Sequence, residues 1–187
     1  MGKRTNFLKK AIFLDRDGII NKAIVRNNKP YAPQHFEEVE LVTGIRQLIE
    51  FLKHEYLILV ISNQPEVARG NISKDNVETI NDYLSSQLSI DTFLTCFHDD
   101  EDMCDCRKPK PGLILWAAEK YNIDLKSSWV IGDRWRDIEA GKRAGCRTVF
   151  VYYHYDETQP IDRNIRPDYI VKSINEISTI IELEDGI

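Results

Sequence analysis

The sequence predicts an α/β fold, a doubly wound parallel sheet with helices on both of its faces. Short apolar runs such as 11–14 and 57–61 have the length of buried strands. They alternate along the chain with segments in which apolar residues recur at helical spacing, the pattern of successive βαβ units. The chain has 187 residues, of which 42% are hydrophobic, a profile that fits one globular domain over residues 1–187.

The first half of the chain contains three predicted strands and two predicted helices. The runs 11–14 and 57–61 are the first two strands, and a helix that begins just after Gly44 crosses over between them. Ser73 is a suitable N-cap for the second helix, which leads to a third strand at 93–97. The apolar faces of the two helices consist of Ile45, Leu48, Ile49 and Leu52, and of Val77, Ile80, Leu84 and Leu88.

The second half repeats this alternation. Pro111-Gly112 opens a helix that runs to about Tyr121. A strand at 129–133 then precedes a helix from Ile138 to Ala144, which Gly145 ends. A strand at 147–152 and, within 170–181, a short strand and a helix complete the pattern. Two segments, 18–42 and 153–167, show neither helical nor strand periodicity in their apolar residues and are predicted as loops. The first is expected to form a flap that covers part of the molecule.

Charge and hydropathy exclude several classes of function. No apolar run approaches the roughly 18 residues that a membrane span requires, and Met-Gly-Lys-Arg-Thr-Asn shows neither a secretion nor a myristoylation signal. We therefore expect a cytoplasmic protein with no membrane partner. The net charge of −5 argues against nucleic acid as a partner. No surplus apolar segment remains for an interface, so a monomer is expected.

Polar clusters follow four of the predicted strands. Because open α/β sheets bind ligands at the carboxyl ends of their strands, we expect these clusters to converge on one site. Carboxylates brought together repel and need a cation, and oxygen ligands suit Mg²⁺. A nearby lysine with hydroxyl and amide donors would complete a cradle for a phosphoryl group. The clusters are Asp15-Arg16-Asp17-Gly18, Ser62-Asn63-Gln64, Arg107-Lys108-Pro109-Lys110-Pro111, and Gly132-Asp133 with Asp137.

The order and spacing of these clusters resemble the four motifs of the haloacid dehalogenase superfamily. The resemblance implies a Rossmann-like fold and phosphatase chemistry. In that chemistry Asp15 is the nucleophile that forms an aspartyl-phosphate, and Asp17 is the general acid and then the general base. Ser62 and Lys108 would bind the phosphate. The residues that match are Asp15-x-Asp17-Gly18, Ser62, Lys108-Pro109 and Gly132-Asp133-x-x-x-Asp137.

The same resemblance implies how Mg²⁺ would be held. Asp15 and Asp133 would provide carboxylate ligands, and Asp17 would provide its backbone carbonyl. Asp137 would lie behind these ligands or assist them.

One histidine and three cysteines form a second cluster. Zn²⁺ takes such a set tetrahedrally, and a Cys₃His site with no open position is structural. A disulfide is a weaker interpretation in the cytoplasm, and a reactive thiol is a less economical one. We therefore expect zinc to staple the loop 96–106, and Cys146, which stands apart, to be a small buried residue. The four ligands are Cys96, His98, Cys104 and Cys106.

The zinc loop runs directly into Arg107-Lys108-Pro109, and this combination resembles the zinc-loop branch of the superfamily, subfamily IIIA. Members of that branch hydrolyse heptose bisphosphate or histidinol phosphate and lack a large cap domain. The resemblance implies an Mg²⁺-dependent phosphomonoesterase acting on a small phosphorylated sugar, with a heptose bisphosphate of lipopolysaccharide biosynthesis as the first expectation. Besides Ser62 and Lys108, it implies four substrate-binding residues: Asn63, Arg69, Arg107 and Lys110.

Other functions remain open on the sequence alone. Histidinol phosphate or another sugar phosphate would use the same four motifs. A polynucleotide 3′-phosphatase uses related motifs, although the acidic composition disfavours it. A zinc-stapled binding module could keep the fold without catalysis, although the intact pair Asp15 and Asp17 argues against it. The chain also departs from the branch at Pro65-Glu66-Val67 and at Arg134-Trp135-Arg136, a bulky basic run that would attract polyanions if it faced the crevice.

Overall fold

Six parallel strands form the central sheet in the computed structural model, which describes residues 8–156 and 164–187. The first seven residues and part of the predicted loop 153–167 lie outside these ranges. The strand order in the sheet is β5-β4-β1-β6-β7-β8, and β2 and β3 form a separate hairpin. The strands are β1 (Lys10–Leu14), β2 (Ile24–Arg26), β3 (Lys29–Tyr31), β4 (Tyr56–Asn63), β5 (Thr92–Cys96), β6 (Trp129–Gly132), β7 (Arg147–Val151) and β8 (Tyr169–Val171).

Helices cover both faces of this sheet, which confirms the predicted fold class. One face packs against α1, α3 and α6, and the other packs against α4 and α5. Short 3₁₀ turns occupy residues 36–38, 100–102, 125–127 and 174–176. The helices are α1 (Ile45–Leu52), α2 (Pro65–Ala68), α3 (Lys74–Gln87), α4 (Gly112–Tyr121), α5 (Trp135–Ala144) and α6 (Ile177–Asp185).

The central strand β1 is buried on both sides, which explains its unbroken apolar sequence. Ile12 and Leu14 point into the core shared with α1, α3 and α6, whereas Ala11 and Phe13 point into the core shared with α4 and α5. All four side chains are fully buried. The strand therefore has little freedom to shift, and the residue that follows it, Asp15, is held at the carboxyl edge of the sheet.

The strand order places a crevice at that edge. From β1 the chain winds outward through β4 to β5, then crosses back to the other side of β1 and winds outward from β6 to β8. Loops at the carboxyl ends of β1 and β6 therefore leave in opposite directions, and a gap opens where the order reverses. Of the polar clusters, Asp15 follows β1 and Asp133 follows β6 on the two sides of this gap.

The segment 18–42 contains regular structure that its sequence did not reveal. Strands β2 and β3 pair antiparallel, and Asn27 and Asn28 between them both have positive φ angles, of 50° and 59°. This is the backbone of a tight hairpin turn, for which asparagine is well suited. The strands have only three residues each and are largely exposed, so they carry no detectable period.

One helix differs from its predicted bounds, and one short helix was not predicted. Helix α5 begins at Trp135, three residues before the predicted Ile138, because the Asp137 carboxylate accepts a hydrogen bond from the Arg134 amide and caps the helix there. The four-residue helix α2 was not predicted. Ser73 does cap α3, with its hydroxyl accepting from the Asn76 amide, as expected. No helix in the described part of the chain has the length and apolar character of a membrane span.

Candidate active site

A crevice of about 280 Å³ lies at the carboxyl edge of the sheet. Loops from β1, β4 and β6, the zinc loop, and the hairpin segment all contribute to it. The hairpin side supplies Ala23, Pro30, Tyr31 and Ala32, so part of the predicted flap does line this crevice. The charged residues in the lining are Asp15, Asp17, Glu66, Arg69, Asp100, Arg107, Lys108, Arg134, Arg136 and Asp137.

Lys108 joins two carboxylates on the floor of the crevice. Its ammonium lies 2.7 Å from an oxygen of Asp15 and 2.7 Å from an oxygen of Asp137, and it donates a third bond of 2.8 Å to the Ile61 carbonyl. All three charged side chains are buried. Buried charges are stable only when paired and hydrogen-bonded, and this arrangement satisfies all three ammonium hydrogens.

The pKa values of Asp15 and Lys108 on the crevice floor both differ from their ordinary values. Burial, together with the nearby Asp137 carboxylate, raises the pKa of Asp15 to about 7, although Lys108 opposes this shift. Burial alone would lower the pKa of Lys108, but the Asp137 and Asp15 carboxylates raise that pKa above its ordinary value. The lysine therefore stays cationic, and the negative charge on the floor still exceeds what one ammonium can balance.

Asp133 completes a group of three buried carboxylates. One oxygen each from Asp15, Asp133 and Asp137 can be chosen so that all three lie within 4.8 Å of one another. Gly18 makes this possible: its φ is +105°, and a Cβ added there would lie 2.0 Å from an Asp133 oxygen. Only glycine adopts that backbone readily and also leaves the carboxylate its space. Three carboxylates this close form a donor set that suits a hard divalent cation.

Asp17 lines the same crevice and is held by three side chains. Gln64 donates a bond of 2.7 Å to one carboxylate oxygen, and Asn21 donates one of 3.0 Å to the other. The guanidinium of Arg16, which is fully buried, also pairs with this carboxylate at 3.1 Å and donates to Asn81 of α3. The carboxylate of Asp17 is thereby fixed in a crevice that also contains Asp15.

Sequence reasoning assigned no roles to Arg16, Asn21, Gln64 and Asn81. A fully buried arginine at position 16 could not be recognised, because arginine beside a turn is ordinarily exposed. Gln64 could have been found from its place within a polar cluster after a strand. It also donates 2.8 Å to the Ser62 hydroxyl, and Ser62 lies behind it, outside the crevice lining.

Asn63 fixes the backbone of Lys108. Its side-chain oxygen accepts from the Lys108 amide at 3.0 Å, and its side-chain amide donates to the Lys108 carbonyl at 3.0 Å. This reciprocal pair ties the end of β4 to the segment that follows the zinc loop. The lysine reaches the floor from a backbone that is held on both sides.

The four predicted zinc ligands meet at one point. Five distances among their sulfur and nitrogen atoms lie between 3.1 and 3.7 Å. Sulfurs about 2.3 Å from a tetrahedral zinc would lie roughly 3.8 Å apart, so the cluster has close to the size that zinc requires. All three cysteines are free thiols, and Cys146, the fourth, is buried elsewhere as predicted. Burial opposes ionisation, but hydrogen bonds from Cys106 and the backbone lower the pKa of Cys104 to about 7.

The basic residues around the zinc loop have different environments. Arg107 is buried, lines the crevice and donates to Asp100 at 2.8 Å. Arg69 lines it as well, but its guanidinium is engaged by Asp99 at 2.6 Å and Glu66 at 2.6 Å. Lys110 is not brought to the crevice, because its ammonium donates to the carbonyls of Met103 and Cys104 in the zinc loop.

The basic run at the start of α5 divides between the crevice and an aromatic contact with β7. Arg134 and Arg136 line the crevice, whereas the ring of Trp135 stacks on Phe150 with centroids 4.9 Å apart. Trp135 therefore packs against β7 at the start of the helix. The two arginines add positive charge to a crevice that already contains Arg107 and Lys108.

Comparison with known proteins identifies the family. A HAD-hydrolase-like family model matches residues 105–177. The D-glycero-beta-D-manno-heptose-1,7-bisphosphate 7-phosphatase of Helicobacter pylori (strain ATCC 700392 / 26695) is 40% identical over 72% of this chain and 79% of its own length. The D-glycero-alpha-D-manno-heptose-1,7-bisphosphate 7-phosphatase of Photorhabdus laumondii is 35% identical over 76% and 81% of the two chains.

A solved structure shows the same fold. The D,D-heptose 1,7-bisphosphate phosphatase of B. bronchiseptica, complexed with magnesium and phosphate, has a TM-score of 0.75, with 94% of this chain and 99% of that chain covered at 24% identity. The identity and coverage of the curated relatives settle the family. The chain belongs to the haloacid dehalogenase superfamily, in the family of the D-glycero-D-manno-heptose-1,7-bisphosphate 7-phosphatases.

Proposed function

We propose that this protein is an Mg²⁺-dependent phosphomonoesterase that removes the 7-phosphate from D-glycero-D-manno-heptose 1,7-bisphosphate. The observation that carries the proposal is the buried group of Asp15, Lys108 and Asp137 on the floor of a crevice that also contains Asp17. The relatives from Helicobacter pylori and Photorhabdus laumondii are named as 7-phosphatases of this bisphosphate, which supports the proposed substrate.

Asp15 and Asp17 share the work of hydrolysis in this proposal. An oxygen of Asp15 attacks the phosphorus, and the bond from phosphorus to the sugar oxygen breaks while Asp17 donates a proton to that oxygen. Asp17 then takes a proton from water, which attacks the aspartyl-phosphate and releases inorganic phosphate. Lys108 stabilises the charge on the transferring group. Gln64 and Arg16 hold Asp17, and Asp137 and Asn63 hold Lys108.

The three-carboxylate group is the proposed magnesium site. Asp15 and Asp133 would be its carboxylate ligands, with the Asp17 carbonyl as a third. Asp137 lies behind them, with its oxygens toward Lys108 and the Arg134 amide. The bound ion would supply positive charge beside the oxygens of the transferring phosphoryl group. The B. bronchiseptica structure, solved with magnesium and phosphate, supports this choice of ion.

The Cys₃His cluster is the proposed structural zinc site. Bound zinc would close the loop 96–106 and fix its end at Cys106, which is directly before the pair Arg107-Lys108. Lys110 would reinforce that loop through its bonds to two loop carbonyls, so we assign it no contact with substrate. Three reduced thiols at such a site accord with a cytoplasmic protein.

Arg107 is the proposed contact for the part of the substrate that does not react. It is buried in the crevice wall and its guanidinium is oriented by Asp100 and by the His98 carbonyl, 3.3 Å away. Asn63 acts in this proposal by positioning Lys108. Ser62 acts through its bond with Gln64, and Arg69 through its pairing with the zinc-loop residue Asp99.

Magnesium affinity is expected to rise with pH up to about 7. Burial raises the pKa of Asp15 to about 7 in the metal-free protein, so below that pH the ion must displace a proton. The apparent affinity should increase about tenfold for each pH unit below the pKa and level off above it. Calorimetric titration with Mg²⁺ between pH 5 and 8 measures both the affinity and the protons released. An affinity that is constant over this range would contradict magnesium binding at Asp15.

Phosphate release from a substrate panel tests the function. The panel contains both anomers of heptose 1,7-bisphosphate, histidinol phosphate, hexose phosphates and a 3′-phosphorylated oligonucleotide, each with Mg²⁺ and with a chelator. We expect Mg²⁺-dependent release from a heptose bisphosphate, with the 1-phosphate retained as judged by ³¹P NMR. A preference for histidinol phosphate or the oligonucleotide would replace the proposed substrate. No release from any compound by folded, zinc-loaded protein would indicate a binding module.

A further inference from the structure

Two arginines from different parts of the chain share one carboxylate in the crevice wall. Arg107 lies at the end of the zinc loop, and Arg136 lies in the first turn of α5. Both line the crevice, and both contact the same oxygen of Asp100, Arg107 at 2.8 Å and Arg136 at 3.5 Å.

The two arginines differ in burial and in the strength of their hydrogen bonds. Arg107 has a side chain that is only 9% exposed, and it also donates to the His98 carbonyl. Arg136 has a side chain that is 43% exposed, and its 3.5 Å contact is at the outer limit of a hydrogen bond. The Asp100 side chain is 62% exposed, and exposed ion pairs contribute little stability. An anionic ligand could therefore take the place of Asp100 at modest cost.

A bisphosphate substrate supplies such an anion. If the reacting phosphate lies at Asp15 and Lys108 on the floor, the second phosphate must lie elsewhere in the same crevice. Guanidinium groups bind phosphate through paired hydrogen bonds, and two of them converge on Asp100. Asp100 would then occupy donors that the second phosphate uses.

We propose that Arg136 is a specificity-determining residue that binds, together with Arg107, the phosphate of the substrate that does not react. Asp100 holds both guanidinium groups when that phosphate is absent. The inference rests on the proposed function, which it deepens by assigning a second arginine to recognition of the bisphosphate. It also gives a role to part of the basic run 134–136, which the proposed catalytic steps do not use.

The test compares two substrates that share the reacting group. kcat/KM is measured for heptose 1,7-bisphosphate and heptose 7-phosphate with the unchanged protein, Arg136→Met and Arg136→Lys. Arg143→Met is the matched control, since Arg143 lies on the same helix and pairs with Glu139 outside the crevice lining. The readout is the kcat/KM for heptose 1,7-bisphosphate divided by the kcat/KM for heptose 7-phosphate. A general loss of folding lowers both values together and leaves this ratio unchanged.

We expect Arg136→Met to lower this ratio about tenfold to a hundredfold, the size of a lost hydrogen bond to a charged group. Arg136→Lys should lower the ratio less, because lysine keeps the positive charge but lacks the paired N–H donors of the guanidinium group. Arg143→Met should leave it within about twofold of the unchanged protein. An unchanged ratio in active Arg136→Met protein would overturn this inference alone. No release from either substrate by the unchanged protein would overturn the proposed function, and this inference with it.

Discussion

Replacing Asp15 by asparagine is expected to abolish phosphate release while the fold and the zinc content persist. The amide cannot attack phosphorus, and losses for essential nucleophiles are on the order of 10⁴-fold or more in kcat. The fold should survive because the buried carboxylate of Asp15 is itself costly, as its pKa of about 7 indicates. Lys108 also keeps its partners Asp137 and the Ile61 carbonyl. Steady-state kinetics, thermal unfolding and metal analysis measure the three quantities.

Asp82→Asn is the matched control for this prediction. Asp82 lies exposed on α3, away from the active-site crevice, and the same change of carboxylate to amide there should leave kcat unchanged. Turnover by Asp15→Asn at more than about a hundredth of the normal rate would rule out Asp15 as the nucleophile, since an attacking group cannot be dispensable.

Replacing Cys104 by serine is expected to lose zinc and to destabilise the protein. Removal of a structural metal ligand belongs to the substitutions with large effects, and we expect about 3 to 5 kcal/mol, which is roughly 6 to 20 °C in Tm for a chain of this size. Activity should fall as well, because the loop 96–106 positions Arg107 and Lys108. Zinc content by metal analysis and Tm by calorimetry are the measurements.

Cys146→Ser separates the zinc effect from the general cost of the substitution. Cys146 is buried and lies outside the cluster, so this variant should keep its zinc while losing some stability. If Cys104→Ser retained a full equivalent of zinc and normal activity, the cluster would not be the zinc site.

Much of the fold was predictable because its strands are buried on both faces. The runs 11–14 and 57–61 are apolar throughout since helices cover both sides, and the observed β1 and β4 extend them by one to three residues. Gly145, with φ of +86°, ends α5 as predicted. The hairpin β2–β3 was missed because its six strand residues gain little from burial and show no period.

The candidate site was predictable where it follows strand ends. Asp15, Asn63 and Asp133 were found because each comes directly after a buried strand or ends one, and sheet topology alone brings them to one edge. Lys110 was predicted as a substrate contact from its nearness in sequence to Lys108. The direction of the Lys110 side chain depends on which zinc-loop carbonyls its ammonium can reach, and the sequence contains no pattern that predicts these contacts.

The positioning residues were the hardest to predict. Arg16 is adjacent to Asp15 and Asp17, yet its contact with Asn81 of α3 joins residues 65 positions apart. Such a contact follows from how α3 packs on the sheet, which spacing does not show. The same holds for Arg136, whose approach to Asp100 depends on where the zinc loop ends relative to α5.

Chemical trapping of the phosphorylated residue tests the central claim most directly. The unchanged protein, which in this mechanism passes through the aspartyl-phosphate in every turnover, is mixed rapidly with heptose 1,7-bisphosphate and Mg²⁺, quenched in acid during turnover and reduced with borohydride. An aspartyl-phosphate is converted to homoserine, which peptide mass spectrometry locates. We predict homoserine at position 15, dependent on both substrate and Mg²⁺. Homoserine at another aspartate, or none in protein that releases phosphate from the same substrate, would contradict the account.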